Sequence, residues 1–106
     1  PPWGCYLEAN SIPGTSVPRA SNTPILTVYS GDDELLNNSI EKSNWTKICA
    51  QGYTLQYLEC AGLGHSAGAV AALPYSMKWL KARLDGVPID PEVICTIQDP
   101  VDCSAL

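Results

Sequence analysis

Pro24-Ile25-Leu26-Thr27-Val28-Tyr29-Ser30-Gly31-Asp32-Asp33 is the stretch that decides the fold of this chain. Residues 24–29 are apolar or β-branched without alternation, which is typical of a strand buried on both faces of a parallel sheet. Residues 30–33 have the composition of a turn. The stretch therefore predicts an α/β fold, with carboxylates just beyond the end of a strand.

A helix is predicted after this turn. Asn37, Asn38 or Ser39 can cap it, because their side chains can accept hydrogen bonds from the first free N–H groups. The helix should run to about Ala50, and Gly52 can end it.

A second strand and a second helix follow. Apolar and polar side chains alternate along residues 54–60, which predicts a strand nearer a sheet edge. The small residues of 61–66 predict a turn. Apolar residues then recur at helical spacing, so we expect a main helix from about Pro74 to Leu84, stopped by Gly86.

Three segments follow from this order. Residues 24–86 form a strand-helix-strand-helix core, residues 1–23 lead into it as an extended segment, and residues 87–106 form an irregular tail held by disulfides. Two parallel strands do not make a stable sheet alone. We therefore expect this chain to be the closing portion of a larger α/β sheet, which an N-terminal chain completes. By itself, the chain should be unfolded or should aggregate.

Composition excludes several classes of function. With 106 residues and a net charge of −5, the chain lacks the basic groove that nucleic-acid binding needs. No apolar run is long enough to span a membrane. Five cysteines and two sequons, at Asn37 and Asn44, predict a secreted protein with glycosylation at those asparagines.

The cysteines are better suited to disulfides than to a metal. The chain has one histidine and no C-x-x-C pair, so no metal site and no cofactor are predicted. Cys60 is expected to pair with Cys95 or Cys103. Because five is an odd number, one thiol is free or pairs outside the chain, and Cys5 is the candidate for that role. Cys49 is a further candidate for a disulfide.

Acid and base candidates follow the two predicted strands. Asp32 and Asp33 come after the first strand, and His65, the single histidine, comes after the second. Carboxyl ends of parallel strands lie at one edge of a sheet, about 5–10 Å apart for near neighbours. A carboxylate and an imidazole placed there can form the acid–base contact of a serine-hydrolase triad.

Ser66 offers a competing nucleophile. Gly64-His65-Ser66-Ala67-Gly68 matches the G-x-S-x-G pattern of a nucleophile elbow and lies between a strand and a helix. No histidine follows Ser66, however, and an elbow serine needs one from later in the chain. We therefore predict that Ser66 is a bystander and that the nucleophile lies outside this chain.

Several of these stretches resemble the fungal secretory lipases, the lipase A-like family of α/β-hydrolases. YSGDDELL (29–36) is similar to the acid turn of α/β-hydrolases and aligns Asp33 with the acid. GLGH (62–65) resembles the histidine turn, and residues 74–86, with MKWL and RLDG, resemble the closing helix. LEANSI (7–12) looks like the segment that leads from the lid into the core.

The resemblance implies the C-terminal portion of a secreted lipase or carboxylesterase. His65 would act as general base and then acid, and Asp33 would orient it. The nucleophilic serine and the oxyanion hole would lie on an N-terminal chain of the same precursor, with an ester as substrate and a lipid interface as a further contact. Lipase, short-chain esterase and acyltransferase chemistry stay open. The alternatives are a hydrolase that uses Ser66 and a small secreted disulfide-rich interaction module without catalysis.

Overall fold

The computed structural model describes residues 2–11 and 22–106, which form helices and a parallel two-stranded sheet. The elements in chain order are α1 (Pro2–Ala9), β1 (Ile25–Ser30), α2 (Asn38–Ala50), β2 (Leu55–Cys60) and α3 (His65–Leu84). The tail contains two short 3-10 turns, Pro91–Val93 and Cys103–Ala105. The α/β class predicted from the sequence is confirmed.

Helix α1 corrects the prediction of an extended segment at the beginning of the chain. Pro2 occupies its first position, where the missing N–H costs nothing and the fixed φ favours the helix. Residues 1 and 12–21 lie outside the described residues. The predicted route of residues 1–23 from a lid into the core therefore stays a prediction.

The two strands pair in parallel, as predicted. Ile25 lies opposite Leu55, and Ser30 lies opposite Cys60 at the other end. Both strands therefore end in step, and the turns that follow them leave the sheet at the same edge.

The burial of the two strands is the reverse of what the sequence predicts. In β2 every residue except Gln56 is buried, although its alternation predicts an edge. The tail covers its outer side through bridges that pair Gln56 with Ile94 and Cys60 with Val101. Local alternation carries no information about a segment that returns from 35 or more residues away, which is why the sequence prediction was wrong.

Strand β1 was predicted to be buried on both faces, and in the structure it is the more exposed strand. Ile25 and Val28 each leave 37% of their surface exposed. No further strand pairs with the outer side of β1 within residues 2–11 and 22–106.

Two clusters of buried side chains hold α2 and α3 to the sheet. Under α2, Trp45 packs with Leu55 and Tyr57, and the ring of Tyr29 stacks on that of Tyr57 at 4.9 Å between centroids. Asn37 caps α2 by accepting hydrogen bonds from the N–H groups of residues 39 and 40. The second cluster lies on the other side, under α3, and consists of Leu58, Cys60, Ala72 and Cys103.

Disulfides fix the tail to the core. Cys49 is bonded to Cys95, and Cys60 is bonded to Cys103. The partner of Cys60 is thus one of the two that the sequence left open. Cys5 is free and exposed.

Helix α3 begins nine residues earlier than predicted, at His65 rather than near Pro74. The small residues of its first turns allow a close approach to the sheet. A side-chain carbon at Gly68 would lie only 2.1 Å from Ser30 Oγ.

Pro74 stays inside the helix. Because proline has no N–H, it removes the helical hydrogen bond to the carbonyl of Val70. Val70 is 71% exposed, so its surroundings are open to water. The helix ends at Leu84, close to Gly86 as expected. Among the described helices, none is long and apolar enough to cross a membrane.

Replacing Trp45 by alanine should destabilise the folded protein that carries this chain by about 3–5 kcal/mol, because the ring is 2% exposed and its loss leaves a cavity. Trp45→Phe should cost less, since Nε1 is a buried donor without a hydrogen-bond partner among the described residues. Chemical denaturation measures both. Ser43→Ala, at an exposed position of α2, is the control and should change the free energy of unfolding by less than about 0.5 kcal/mol. An alanine variant at position 45 as stable as the control would contradict this account of the core.

Candidate active site

The turns after β1 and β2 are held together through their backbones. Gly31 N–H donates to the Cys60 carbonyl oxygen at 2.8 Å, and Asp32 N–H donates to the Leu63 carbonyl oxygen at 3.0 Å. A side-chain carbon at position 31 would lie 3.0 Å from that same oxygen of Cys60, so only glycine fits without a shift of the backbone. The glycine therefore allows the carboxylate turn to lie against the histidine turn.

Asp33 is fixed by hydrogen bonds to both of its carboxylate oxygens. Oδ1 accepts from the N–H groups of Leu35 and Leu36, each at 2.8 Å. Oδ2 lies 2.8 Å from His65 Nδ1. The side chain is only 5% exposed.

The pKa of the Asp33 carboxyl lies below its ordinary value. Burial raises this pKa, but the hydrogen bonds from the Leu36 N–H, the His65 ring and the Leu35 N–H together lower it by more. Asp33 is therefore an ionised carboxylate at neutral pH, and it can only accept hydrogen bonds.

His65 consequently has a defined tautomer. Because Asp33 only accepts, His65 Nδ1 carries the proton and donates it. Nε2 has no hydrogen-bond partner in the part of the chain that the structure describes, and the side chain is 41% exposed. In the neutral ring, Nε2 holds a lone pair that can take a proton from a neighbouring hydroxyl.

The other two candidates from this region lie apart from the pair. Asp32 is exposed, and its side chain makes no hydrogen bond to His65 in the structure. Ser66 is exposed in the first turn of α3, and its hydroxyl has no hydrogen-bond partner within the described ranges. The structure thus brings Asp33 and His65 together and leaves Asp32 and Ser66 outside their contact.

A cavity of about 300 Å³ lies beside the Asp33–His65 pair. The serine in its lining, Ser30, is buried, and its hydroxyl donates to the carbonyl oxygen of His65 at 3.2 Å. The rest of the wall is largely apolar and comes from β1, the turn after it, α2 and α3. Beyond the pair and Ser30, the lining consists of Thr27, Val28, Tyr29, Leu36, Glu41 and Ala69.

One contact at the site is not predicted from the sequence. Glu34 Oε2 accepts a hydrogen bond from the main-chain N–H of His65 at 2.9 Å. This bond is the largest cause of a lowered pKa at Glu34, followed by a bond from the residue's own N–H. The position of Glu34 directly after Asp33 is a signal in the sequence. Only the structure shows that the Glu34 carboxylate lies against the N–H of His65.

The remaining predicted site residues lie away from the pair. Asn37 is exposed at the cap of α2, and Asn44 lies half-buried within that helix. Glycosylation of both stays a prediction. Among residues 2–11 and 22–106, no group of histidine, cysteine, aspartate and glutamate side chains is arranged to hold a metal ion.

Comparisons with known proteins point to one family. The model of the family described as secretory lipase matches residues 4–91. Lipase A from the fungus Arthroderma benhamiae is 32% identical over 84 residues, which cover 79% of this chain and 17% of Lipase A. The chain thus spans less than a fifth of the length of this curated relative. No solved structure matches the chain.

Asp33→Asn should remove part of the acid sensitivity of folding. The pKa of Asp33 is lower in the folded than in the unfolded protein, so the unfolded chain is protonated at Asp33 first as the pH falls. The stabilisation that ionised Asp33 gives the folded protein is therefore present above about pH 4 and is lost as the pH falls toward the folded pKa. Thermal unfolding of the original protein and the variant between pH 2.5 and pH 6 measures the effect. The difference in Tm should shrink toward acid pH and be constant above about pH 5; a difference that does not change with pH would contradict the assignment.

Proposed function

The chain belongs to the secretory lipase family, and on that premise we propose that it supplies the acid and the base of an enzyme that hydrolyses carboxylic esters. The observation that carries the proposal is the contact of 2.8 Å between Asp33 Oδ2 and His65 Nδ1, which leaves Nε2 free. An acid, an oriented imidazole and an open second nitrogen are the parts of a triad that act on a serine.

The proposed reaction uses His65 twice. Nε2 takes the proton of a serine hydroxyl as the oxygen attacks the ester carbonyl, and it then gives that proton to the departing alcohol. In the second half, Nε2 takes a proton from water, which attacks the acyl-enzyme, and returns it to the serine as the acid is released. Asp33 stays ionised and stabilises the imidazolium that forms in each half.

We place the nucleophile outside this chain. Ser66, the hydroxyl nearest to His65 in sequence, is exposed on α3 and makes no hydrogen bond to the His65 ring. The Ser30 hydroxyl donates to a carbonyl oxygen. The serine and the oxyanion-hole donors then lie in an N-terminal portion of the same precursor, and this chain is the C-terminal part of an α/β-hydrolase fold. The chain covers 17% of Lipase A, and this small share is consistent with a nucleophile that lies outside the chain.

The open side of β1 is the proposed place of assembly. Its outer edge has no partner strand among the described residues, and Val28 on it also lines the cavity beside the catalytic pair. A strand added there would complete the sheet and bring further residues to the cavity. Cys5, free and exposed, can form a covalent link to the other portion.

We also propose that the protein acts outside the cell. Two disulfides, the family description and the sequons at Asn37 and Asn44 agree with secretion. The capping bonds at Asn37 use Oδ1 alone, so Nδ2 remains for a sugar. An ester at a lipid interface is the substrate class that the family description favours, and no cofactor takes part in the chemistry above.

His65→Ala in the assembled protein should abolish ester turnover, because no other base contacts Asp33 among residues 2–11 and 22–106. Asp33→Asn should lower kcat on the order of 10⁴-fold by favouring the wrong tautomer. The matched control is Asp32→Asn, which removes the neighbouring carboxylate and should leave kcat within twofold, on the order of the scatter expected for a surface change. Hydrolysis of p-nitrophenyl esters measures all three. Full turnover by His65→Ala would contradict the assignment of His65 as the base.

A fluorophosphonate probe should attach to a serine outside residues 1–106. The reason is that Ser66 lacks contact with a base, so its hydroxyl is not activated. Mass spectrometry of digested, labelled protein identifies the modified peptide, and His65→Ala serves as the control that should not label. An adduct on Ser66 would show a self-contained site and would contradict the two-part arrangement.

A further inference from the structure

We propose that Glu34 is a positioning residue that holds the main chain of His65 at the end of the acid turn. The inference rests on the proposed function, in which His65 is the base. Its basis is the hydrogen bond of 2.9 Å from the His65 N–H to Glu34 Oε2.

A single five-residue segment, 30–34, contacts His65 at three points. Asp33 accepts from the ring at 2.8 Å, Glu34 accepts from the main-chain N–H, and the Ser30 hydroxyl donates to the carbonyl oxygen at 3.2 Å. The contact with Asp33 alone would leave the ring free to turn with its backbone. The two main-chain contacts fix the Cα–Cβ bond from which the ring extends, so they limit where Nε2 can lie.

The position of His65 in α3 explains the need for Glu34. His65 is the first residue of a helix of 20 residues, and the preceding Gly64 has no side chain with which to cap it. First-turn N–H groups lack partners within the helix, and a negative charge there is favoured by the helix dipole. Glu34 supplies the missing acceptor from the adjacent turn, so the beginning of α3 and the backbone of the base are fixed by the same bond.

Gly64 provides an independent means of breaking this contact. A side-chain carbon at position 64 would lie 2.7 Å from Glu34 Oε2, which is too close. The backbone at Gly64, with φ of −75°, accepts alanine without strain. Since the carboxylate is the flexible end of its side chain, we expect Gly64→Ala to displace it from the His65 N–H rather than to unfold the helix.

Loss of the contact should lower kcat and leave KM nearly unchanged. Nε2 must lie within hydrogen-bond reach of the nucleophile during proton transfer, and misplacement by about 1 Å costs up to roughly 100-fold. Ground-state binding of the ester does not use the His65 backbone. For Glu34→Ala, where Ser30 and Asp33 still contact the histidine, we expect about a 10-fold loss of kcat.

The test uses the full precursor or the assembled enzyme and compares Glu34→Ala, Glu34→Gln, Gly64→Ala and the double variant Glu34→Ala/Gly64→Ala. Glu92→Ala, which removes an exposed carboxylate in the tail, is the matched control. Steady-state hydrolysis of a p-nitrophenyl ester gives kcat and KM, and thermal unfolding checks that each variant is folded.

We expect Glu34→Gln, which keeps an acceptor oxygen, to recover kcat to within about threefold of the original protein. Gly64→Ala should match Glu34→Ala, and the double variant should be no slower than either single variant, because all three lose the same contact. Wild-type kcat in Glu34→Ala, equal losses in the alanine and glutamine variants, or multiplied losses in the double variant would each overturn the inference. If Glu34→Ala does not fold, a folded Gly64→Ala protein with wild-type kcat overturns it.

His65→Ala separates this inference from the proposed function. Turnover abolished by His65→Ala but untouched by Glu34→Ala refutes only the role of Glu34. Turnover that persists in His65→Ala refutes the proposed function itself.

Discussion

The parallel register of β1 and β2 is the constraint on which the rest of the site depends. Ser30 and Cys60 are paired at the ends of the strands, so the two following turns begin at the same level of the sheet. Gly31 then donates its N–H to the Cys60 carbonyl oxygen and presents no side chain to hold the turns apart. Asp33 and His65 meet as a consequence of backbone geometry, before any contact between their side chains is considered. A shift of one residue in this register would move Asp33 away from His65.

Much of this arrangement is predictable from the sequence because it depends on local signals. An unbroken apolar run, a turn of Ser, Gly and Asp, and a capping asparagine specify β1, its turn and the beginning of α2. The meeting of Asp33 with His65 also follows, since parallel strands ending in turns place both at one edge. The choice of Asp33 over Asp32 as the acid came from the family resemblance. In the structure Asp33 Oδ2 lies 2.8 Å from His65 Nδ1, and its role as the acid stays a prediction.

Features that depend on distant segments could not be predicted in this way. The burial of β2 comes from the tail, which pairs with it at Gln56 and Cys60. At the early beginning of α3 lie contacts with another turn and with β1, namely the bond from the His65 N–H to Glu34 and the close approach of Gly68 to Ser30. The prediction of an extended segment is wrong at α1, because proline is favoured at a first helical position as well as in irregular structure.

The tail makes the sheet asymmetric. The two cysteines that the tail contributes to the disulfides, Cys95 and Cys103, lie beyond residue 91, where the match to the secretory lipase family ends. They hold a segment over the outer side of β2, while the outer side of β1 stays open in the described structure. Further strands can therefore add at β1, the side on which the cavity beside the Asp33–His65 pair is lined by Val28. An experimental structure of the intact protein with a bound phosphonate tests the central claim most directly. We predict His65 Nε2 within about 2.6–3.2 Å of the oxygen of a modified serine outside residues 1–106; a modified serine remote from Nε2, or one within this chain, would contradict it.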